Sequence, residues 1–412
     1  MSAWAAIAGV RRTSQPISLM AAAVGFYFAS RYSIEYLFFQ SDPRAGGAFG
    51  VGLNLWCIAI VAFFSLGPAS NTIRSTVRVP AFRSIAAFLL IALLSLTWSV
   101  TASVTVAFAY WCGVAADLAM VVLLIRCGPL EKMSFSLMKG YVWGAAFIAV
   151  LTWLSPTMQD LRPGNDDFFS PNALALIFAF GVFFAHYLSR TDRIWNFAAI
   201  TLAITLLRTL SKTTIVAFAA GEALMLLRDP AVSGRKLLAI LVISCLVVAA
   251  FSGLIVAYFD VYTTTGNEAE TLTGRVGIWD YTLEASLEQP WLGHGFHSFR
   301  NVVPAFGPFE PWHAHNELLQ LFYSYGVVGI LLYFAVYGSL YLQLRRLPRS
   351  SDKAIFSGLL LFIAIRGLGD TDRFELTLPF WCVFLVSSLL QVSPSPSLNL
   401  VALSAPQKDG QS

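Results

Sequence analysis

Apolar residues in this chain come in long runs separated by short polar turns, and the turns carry most of the charge. A hydrocarbon core about 30 Å thick is crossed by roughly 20 apolar residues in a helix. Runs of that kind occupy residues 16–38, 48–67, 82–99, 104–125, 135–154, 171–188, 194–210, 212–227, 237–258, 316–343, 354–369 and 376–392. The pattern predicts an all-α polytopic membrane protein of about twelve transmembrane helices. One connection breaks the rhythm, the stretch of about 60 residues from Phe259 to Asn316. Loops beyond about 15 residues are usually functional or disordered, and this one is too aromatic for disorder. A folded extracytoplasmic cap is expected. Within it, Gly274–Gln289 has the spacing of an amphipathic helix, with Val276, Trp279, Leu283 and Leu287 as its apolar positions.

Composition removes the soluble classes. The chain is 57% hydrophobic and 12% charged, where a soluble domain carries about 25% charged residues. The 33 Phe and 11 Trp suit lipid-facing surfaces and interfacial belts. No nucleotide-binding loop, internal repeat, nucleic-acid-binding feature or large soluble domain is visible. Cys57, Cys112, Cys127, Cys245 and Cys382 lie in or beside apolar runs without metal-ligand spacing, as buried hydrophobes would. Arg11 and Arg12 precede the first run with no small-residue cleavage site after it, so that helix is expected to be a retained anchor.

Lys and Arg set the orientation. With the N-terminus inside, 18 of the 27 cations fall on inner segments, in clusters such as Arg74/Arg78/Arg83 and Arg345/Arg346/Arg349/Lys353. An N-in, C-in topology follows, with residues 1–392 forming the transmembrane domain. The cap loop 259–316 would then face outward, and 393–412 would be a disordered cytoplasmic tail.

That bias makes the outer cations informative. Arg162 precedes the Pro163-Gly164 turn, Arg208 and Lys212 flank Ser211 in a short hairpin, and Arg275 opens the expected cap helix. Cations beside helix N-termini suit a phosphate or diphosphate. The bland alternative is snorkelling to headgroups, or pairing with Asp166, Asp167, Asp280 or Glu284. A second cluster is Trp312-His313-Ala314-His315-Asn316-Glu317, where the cap returns to the membrane. A neutral imidazole there is suited to take a proton from a sugar hydroxyl, or merely to hydrogen-bond the helix end. A metal site is a rival for His294, His297, His313 and His315, although neither pair has a specific zinc spacing. Arg31 and Glu35 can pair one turn apart, Asp117 and Glu222 lie inside apolar runs, where pairing is the expected role, and Arg366, with Asp370 and Asp372 after it, is expected at the outer end of its helix.

Several of these residues carry a family resemblance. Trp98-Ser99, Ser211-Lys212-Thr213, Thr273-Gly274-Arg275, Pro290-Trp291-Leu292-Gly293-His294-Gly295 and His315-Asn316-Glu317-Leu318-Leu319-Gln320 followed by Gly326 and Gly329 together resemble the O-antigen ligase and polymerase superfamily. Membership would imply a metal-independent, inverting GT-C-type glycosyltransferase using a polyprenyl-diphosphate-linked glycan, with no cofactor. His315 would be the base, and Arg275, Lys212, Arg162 and Arg208 would hold the diphosphate. Asn316, Glu317, His313, His294 and Trp312 would be acceptor or loop contacts, and Trp312, Trp291 and Phe296 would be able to stack on sugar rings or to anchor at the membrane interface. The Ser-Lys-Thr triplet is similar to that of exopolysaccharide polymerases of the ExoQ type, and Gly329 stands where lipid A-core ligases carry Glu. The resemblance therefore implies a polymerase of undecaprenyl-diphosphate-linked repeat units in the bacterial inner membrane, active on the periplasmic side. A chain-length regulator and export machinery would be its partners. A ligase acting on lipid A-core is the near alternative. A lipid-linked oligosaccharide transporter is the alternative from another class, with binding residues expected near the midplane.

Overall fold

The computed structural model describes residues 2–39, 42–65, 78–158, 161–164, 169–253, 256–257, 260, 272–306, 310–371 and 379–392. The tail from 393, residues 261–271 of the cap loop, and Asp166 and Asp167 lie outside the described residues. Every regular element among those described is an α-helix, with one isolated antiparallel bridge between Thr157 and Pro163. In chain order they are α1 (Ser2–Phe38), α2 (Pro43–Ser65), α3 (Pro80–Ser95), α4 (Val104–Arg126), α5 (Leu130–Leu154), α6 (Pro171–Leu188) and α7 (Ile194–Arg208). Then follow α8 (Lys212–Arg228), α9 (Gly234–Ala250), α10 (Leu272–Glu288), α11 (Glu317–Arg346), α12 (Ser351–Gly369) and α13 (Phe380–Val392). Each apolar run has its helix, and α10 is the helix of the cap.

Among the described residues, six segments are long and apolar enough to cross a membrane: Pro16–Phe38, Ala45–Ser65, Val104–Arg126, Leu130–Leu154, Pro171–Leu188 and Glu317–Arg346. Large apolar side chains such as Phe63, Leu154, Phe197 and Leu238 point outward from the bundle, as lipid-facing residues do. Two charged contacts join helices inside the bundle. Arg31 donates to Asp117 at 2.7 Å, and the Asn54 amide donates to the other Asp117 oxygen at 3.0 Å, joining α1, α2 and α4. His186 and Glu222 meet at 3.2 Å between α6 and α8.

Two packing features position the site. The first is the antiparallel pair α8 and α12. Without a hydrophobic drive between helices in lipid, close approach depends on small residues. A methyl group at Gly358 would lie only 2.6 Å from the Gly221 carbonyl oxygen. The pair is tied at one end by Ser351 donating to Asp229 and at the other by Thr213 Oγ1 approaching the Gly369 carbonyl. The sequence triplet that opens α8 is thereby set beside the last turn of α12.

The second feature is a break in α11 at Gly326, whose φ of 62° suits a residue without a Cβ. A helix broken at membrane depth needs new partners for its backbone, and the cap loop supplies them. Val327 N–H donates to Pro290 O, while His294 and Gly295 N–H donate to Tyr323 and Ser324 carbonyls, each at 2.8 Å. The same loop is fastened to α3: Phe296 N–H donates to Ser95 Oγ, and Ser99 Oγ donates to Phe296 O. The Pro-Trp-Leu-Gly-His-Gly and Trp-Ser motifs therefore act together as a lock between cap and bundle.

The cap helix turns a different face to the protein from the one its spacing suggested. Ile278, Thr282 and Ser286 are buried against Phe299, Val303, Ala314 and Tyr323, whereas Val276, Leu283 and Leu287 are exposed. Burial of the two hydroxyl residues is tolerated because each donates one turn back, Thr282 to Ile278 O and Ser286 to Thr282 O.

Candidate active site

The chain end of α12 is where the site assembles. Asn316 caps α11: its side-chain oxygen accepts from Leu319 N–H at 3.1 Å, and its amide donates to Leu368 O at 3.0 Å. Arg275, at the start of α10, donates to Gly369 O at 2.7 Å. Thr213 reaches the same carbonyl from α8. His315 Nδ1 lies 3.5 Å from Asp370 Oδ1. Residues far apart in sequence thus meet on three consecutive positions, Leu368, Gly369 and Asp370.

His315 adopts φ 51°, a left-handed conformation uncommon for a residue with a side chain. Its flanks enforce that geometry. Ala314 N–H donates to Gln320 Oε1 and Ala314 O accepts from the Trp279 indole, both at 2.8 Å, and His315 N–H donates to His313 Nδ1 at 3.3 Å. Local strain held by surrounding bonds is a feature of working sites. With Nδ1 turned toward a carboxylate, Nε2 is the ring nitrogen on the far side from Asp370. The separation of 3.5 Å is long for a hydrogen bond, as catalytic contacts often are before substrate binds.

Asp370 and Arg366 are the functional candidates that sequence reasoning did not assign. Arg366 donates to Asp370 Oδ2 at 3.2 Å one helical turn away, and Thr371 N–H donates to Oδ1 at 2.9 Å. Both side chains are buried. Burial by itself would raise the Asp370 carboxyl; the Arg366 guanidinium and the His315 ring outweigh it and hold the group well below the usual carboxylate range. Asp370 is therefore a fixed negative charge behind His315. The i, i+4 spacing of Arg366 and Asp370 was the available signal, but nothing in the sequence linked it to a histidine 55 residues upstream.

The remaining predicted residues are held at separate points. Ser211 Oγ donates to Asn172 Oδ1 at 2.7 Å, which places Lys212 at the joint between the starts of α6 and α8. Arg208 donates to Leu161 O at 3.1 Å, beside buried Arg162. Trp312 lies under Arg300, whose guanidinium carbon is 3.9 Å from the ring centre. Glu317, in the first turn of α11, is buried and lines a small cavity with Arg366, Tyr333 and Phe180. His294 belongs to the cap core instead, with Nε2 2.9 Å from Ala285 O and its ring against Tyr323.

His297 also stands apart, stacked on Tyr110 with Nδ1 3.3 Å from Thr101 Oγ1. Burial, and next Arg300, push its imidazole down to about 4. A depressed histidine is neutral in the folded chain, while the unfolded chain takes up a proton near pH 6.5. Stability is therefore fully present above about pH 6.5 and declines as pH falls toward 4. The shift corresponds to about 3 kcal/mol. Melting in nanodiscs between pH 4 and 7 should show that slope, and His297→Gln should flatten it.

The four cap histidines do not converge as one metal site. His313, His315 and Asp370 do place ligand atoms within 4.8 Å of one another. A cation there would face the Arg366 guanidinium that already neutralises Asp370, which disfavours a metal.

Residues 197–334 match the family model described as Wzy_C, O-antigen ligase. A curated protein from Pseudomonas aeruginosa described as an O-antigen ligase is 26% identical over 310 residues, covering 72% of this chain and 72% of the relative. Both matches support a relationship to the O-antigen ligase and polymerase superfamily. The matched span runs from α7 through the cap to the first part of α11, so it includes Lys212, Arg275, His315 and Asn316. The membrane-spanning helices and these matches point to a bacterial membrane protein, and the matched family suggests glycosyl transfer.

Proposed function

We propose that this chain is a member of the O-antigen ligase and polymerase superfamily, an inner-membrane glycosyltransferase with twelve crossings, both termini in the cytoplasm and the cap in the periplasm. It polymerises undecaprenyl-diphosphate-linked oligosaccharide repeat units into exopolysaccharide or O-antigen. The supporting observation is the meeting of His315, Arg275 and the Ser211-Lys212-Thr213 turn at the end of α12. A base beside a cluster of cations is what transfer from a glycosyl diphosphate requires, because the attacked carbon lies between the incoming hydroxyl and the departing phosphate.

His315 Nε2 takes the proton of the acceptor sugar hydroxyl as its oxygen bonds the anomeric carbon of the donor glycan. The anomeric C–O bond breaks on the opposite face with inversion, and its electron pair leaves on undecaprenyl diphosphate. Arg275 and Lys212, with Arg162 and Arg208 behind them, stabilise the growing phosphate charge. Asp370 orients the imidazole and stabilises its protonated form.

A polymerase is favoured by the ExoQ-like Ser-Lys-Thr turn and by Gly329; a ligase is favoured by the name of the Pseudomonas relative. The glycans of a deletion strain separate the two. Single lipid-linked repeats should accumulate when a polymerase is lost. Full-length lipid-linked chains beside bare lipid A-core would identify a ligase, and an unchanged glycan profile would reject both. Transfer by purified protein should also persist in EDTA; activity lost to chelation and restored by a divalent ion would make His313, His315 and Asp370 a metal site.

A further inference from the structure

The exposed apolar stripe of α10 meets no protein partner among the described residues, and we infer that it is buried in the bilayer, making the cap helix an interfacial helix docked on lipid hydrocarbon. The helix surface divides into three sectors. Ile278, Thr282, Ala285 and Ser286 pack on the cap core. Asp280, Glu284 and Glu288 form an exposed acidic flank. Between the acidic flank and the core, Val276, Leu283 and Leu287 recur at i, i+7 and i+11 on one exposed line. Leu287 is 62% exposed, and Trp291, just past the helix end, is 71% exposed.

Continuity identifies the occupant. Val327 N–H donates to Pro290 O, and Val328 N–H approaches Trp291 O, so the end of α10 is stitched to α11 just beyond its break. The next outward residues of α11 are Leu331 and Phe334, both exposed and both on a segment long and apolar enough to span a membrane. The stripe of α10 therefore runs through Trp291 and Leu292 into a lipid-facing surface. An exposed indole at that junction suits the headgroup boundary, and the acidic flank keeps the opposite edge in water. A helix with one face on protein, one on lipid and one in water lies along the membrane surface. Docking does not depend on which reaction the site performs. If the proposed function holds, it also sets Arg275, in the first turn of α10, at the depth of a lipid phosphate.

The test uses the full-length chain in phospholipid nanodiscs. In a background with the five native cysteines replaced, single nitroxide labels are placed by Val276→Cys, Leu283→Cys, Leu287→Cys, Glu284→Cys and Glu288→Cys. Power saturation should give high oxygen and low nickel-chelate accessibility at 276, 283 and 287, and the reverse at 284 and 288. Equal nickel accessibility along the helix would overturn the docking, because the stripe would then face water. Low accessibility to both reagents at 283 and 287 would also overturn it, since protein would be covering the stripe. As a check free of labels, Trp291→Phe should reduce the fraction of tryptophan fluorescence quenched by phospholipids brominated near the headgroup; unchanged quenching counts against docking. Neither readout uses glycan products, so failure of the docking is distinguishable from failure of the glycosyltransferase.

Discussion

Replacing His315 with Ala should abolish high-molecular-weight polysaccharide while the protein remains in the membrane at its normal level. The size of the loss follows from its position. A positioned general base contributes roughly 10²–10⁴-fold to rate, and a polymer built from many successive transfers amplifies any loss per step. Folding should survive, because the bonds that shape the Trp312–Asn316 turn run through the backbone of Ala314 and the side chains of Trp279 and Gln320, not through the His315 ring. Arg275→Ala should cost about 10²–10³-fold, the range for one electrostatic donor in a preorganised site, and should weaken donor binding as well. Arg275→Lys recovers only part, since an ammonium cannot hold Gly369 O and a phosphate in the same planar fork. The measurement is polymer length on a gel beside membrane abundance by immunoblot. Wild-type polymer from His315→Ala would remove the base from the mechanism.

The bundle was legible in the sequence because lipid makes a strong demand: an apolar run of the right length has few alternatives to a helix. The packing of the cap was less legible. The apolar residues of α10 that stand out by periodicity, Val276, Leu283 and Leu287, are exposed, while its packed side uses Thr282 and Ser286. Periodicity reports an apolar stripe without saying whether protein or lipid will cover it, and hydroxyls that bond their own helix carry no sequence mark of burial. His315, Asn316 and Arg275 were visible as a motif. Their convergence on Leu368–Asp370 depends on the α8–α12 crossing and on the break at Gly326, both long-range facts. Nothing in the sequence tied Arg366 and Asp370 to His315 until the fold brought them together.

That ion pair gives the second large effect. Asp370→Ala should unfold or destabilise the chain as well as inactivate it, because it leaves Arg366 buried without its carboxylate. Removing one partner of a buried pair typically costs about 3–5 kcal/mol. Activity alone would therefore not distinguish a positioning role from collapse. The double variant Asp370→Ala, Arg366→Met separates them. Taking away both charges relieves the buried cation, and stability in detergent should return most of the way toward wild type, whereas transfer should stay low because nothing then fixes the His315 ring. Asp370→Glu supplies the converse, keeping the charge for Arg366 while displacing the oxygen that faces Nδ1; it should melt near wild type with reduced turnover and little change in donor affinity. Recovery of full transfer in the neutral double variant would show that Asp370 serves the fold alone. The expected split, stability following charge balance and turnover following the carboxylate facing His315, follows from the carboxylate's two oxygens, one held by Arg366 and the other facing the imidazole.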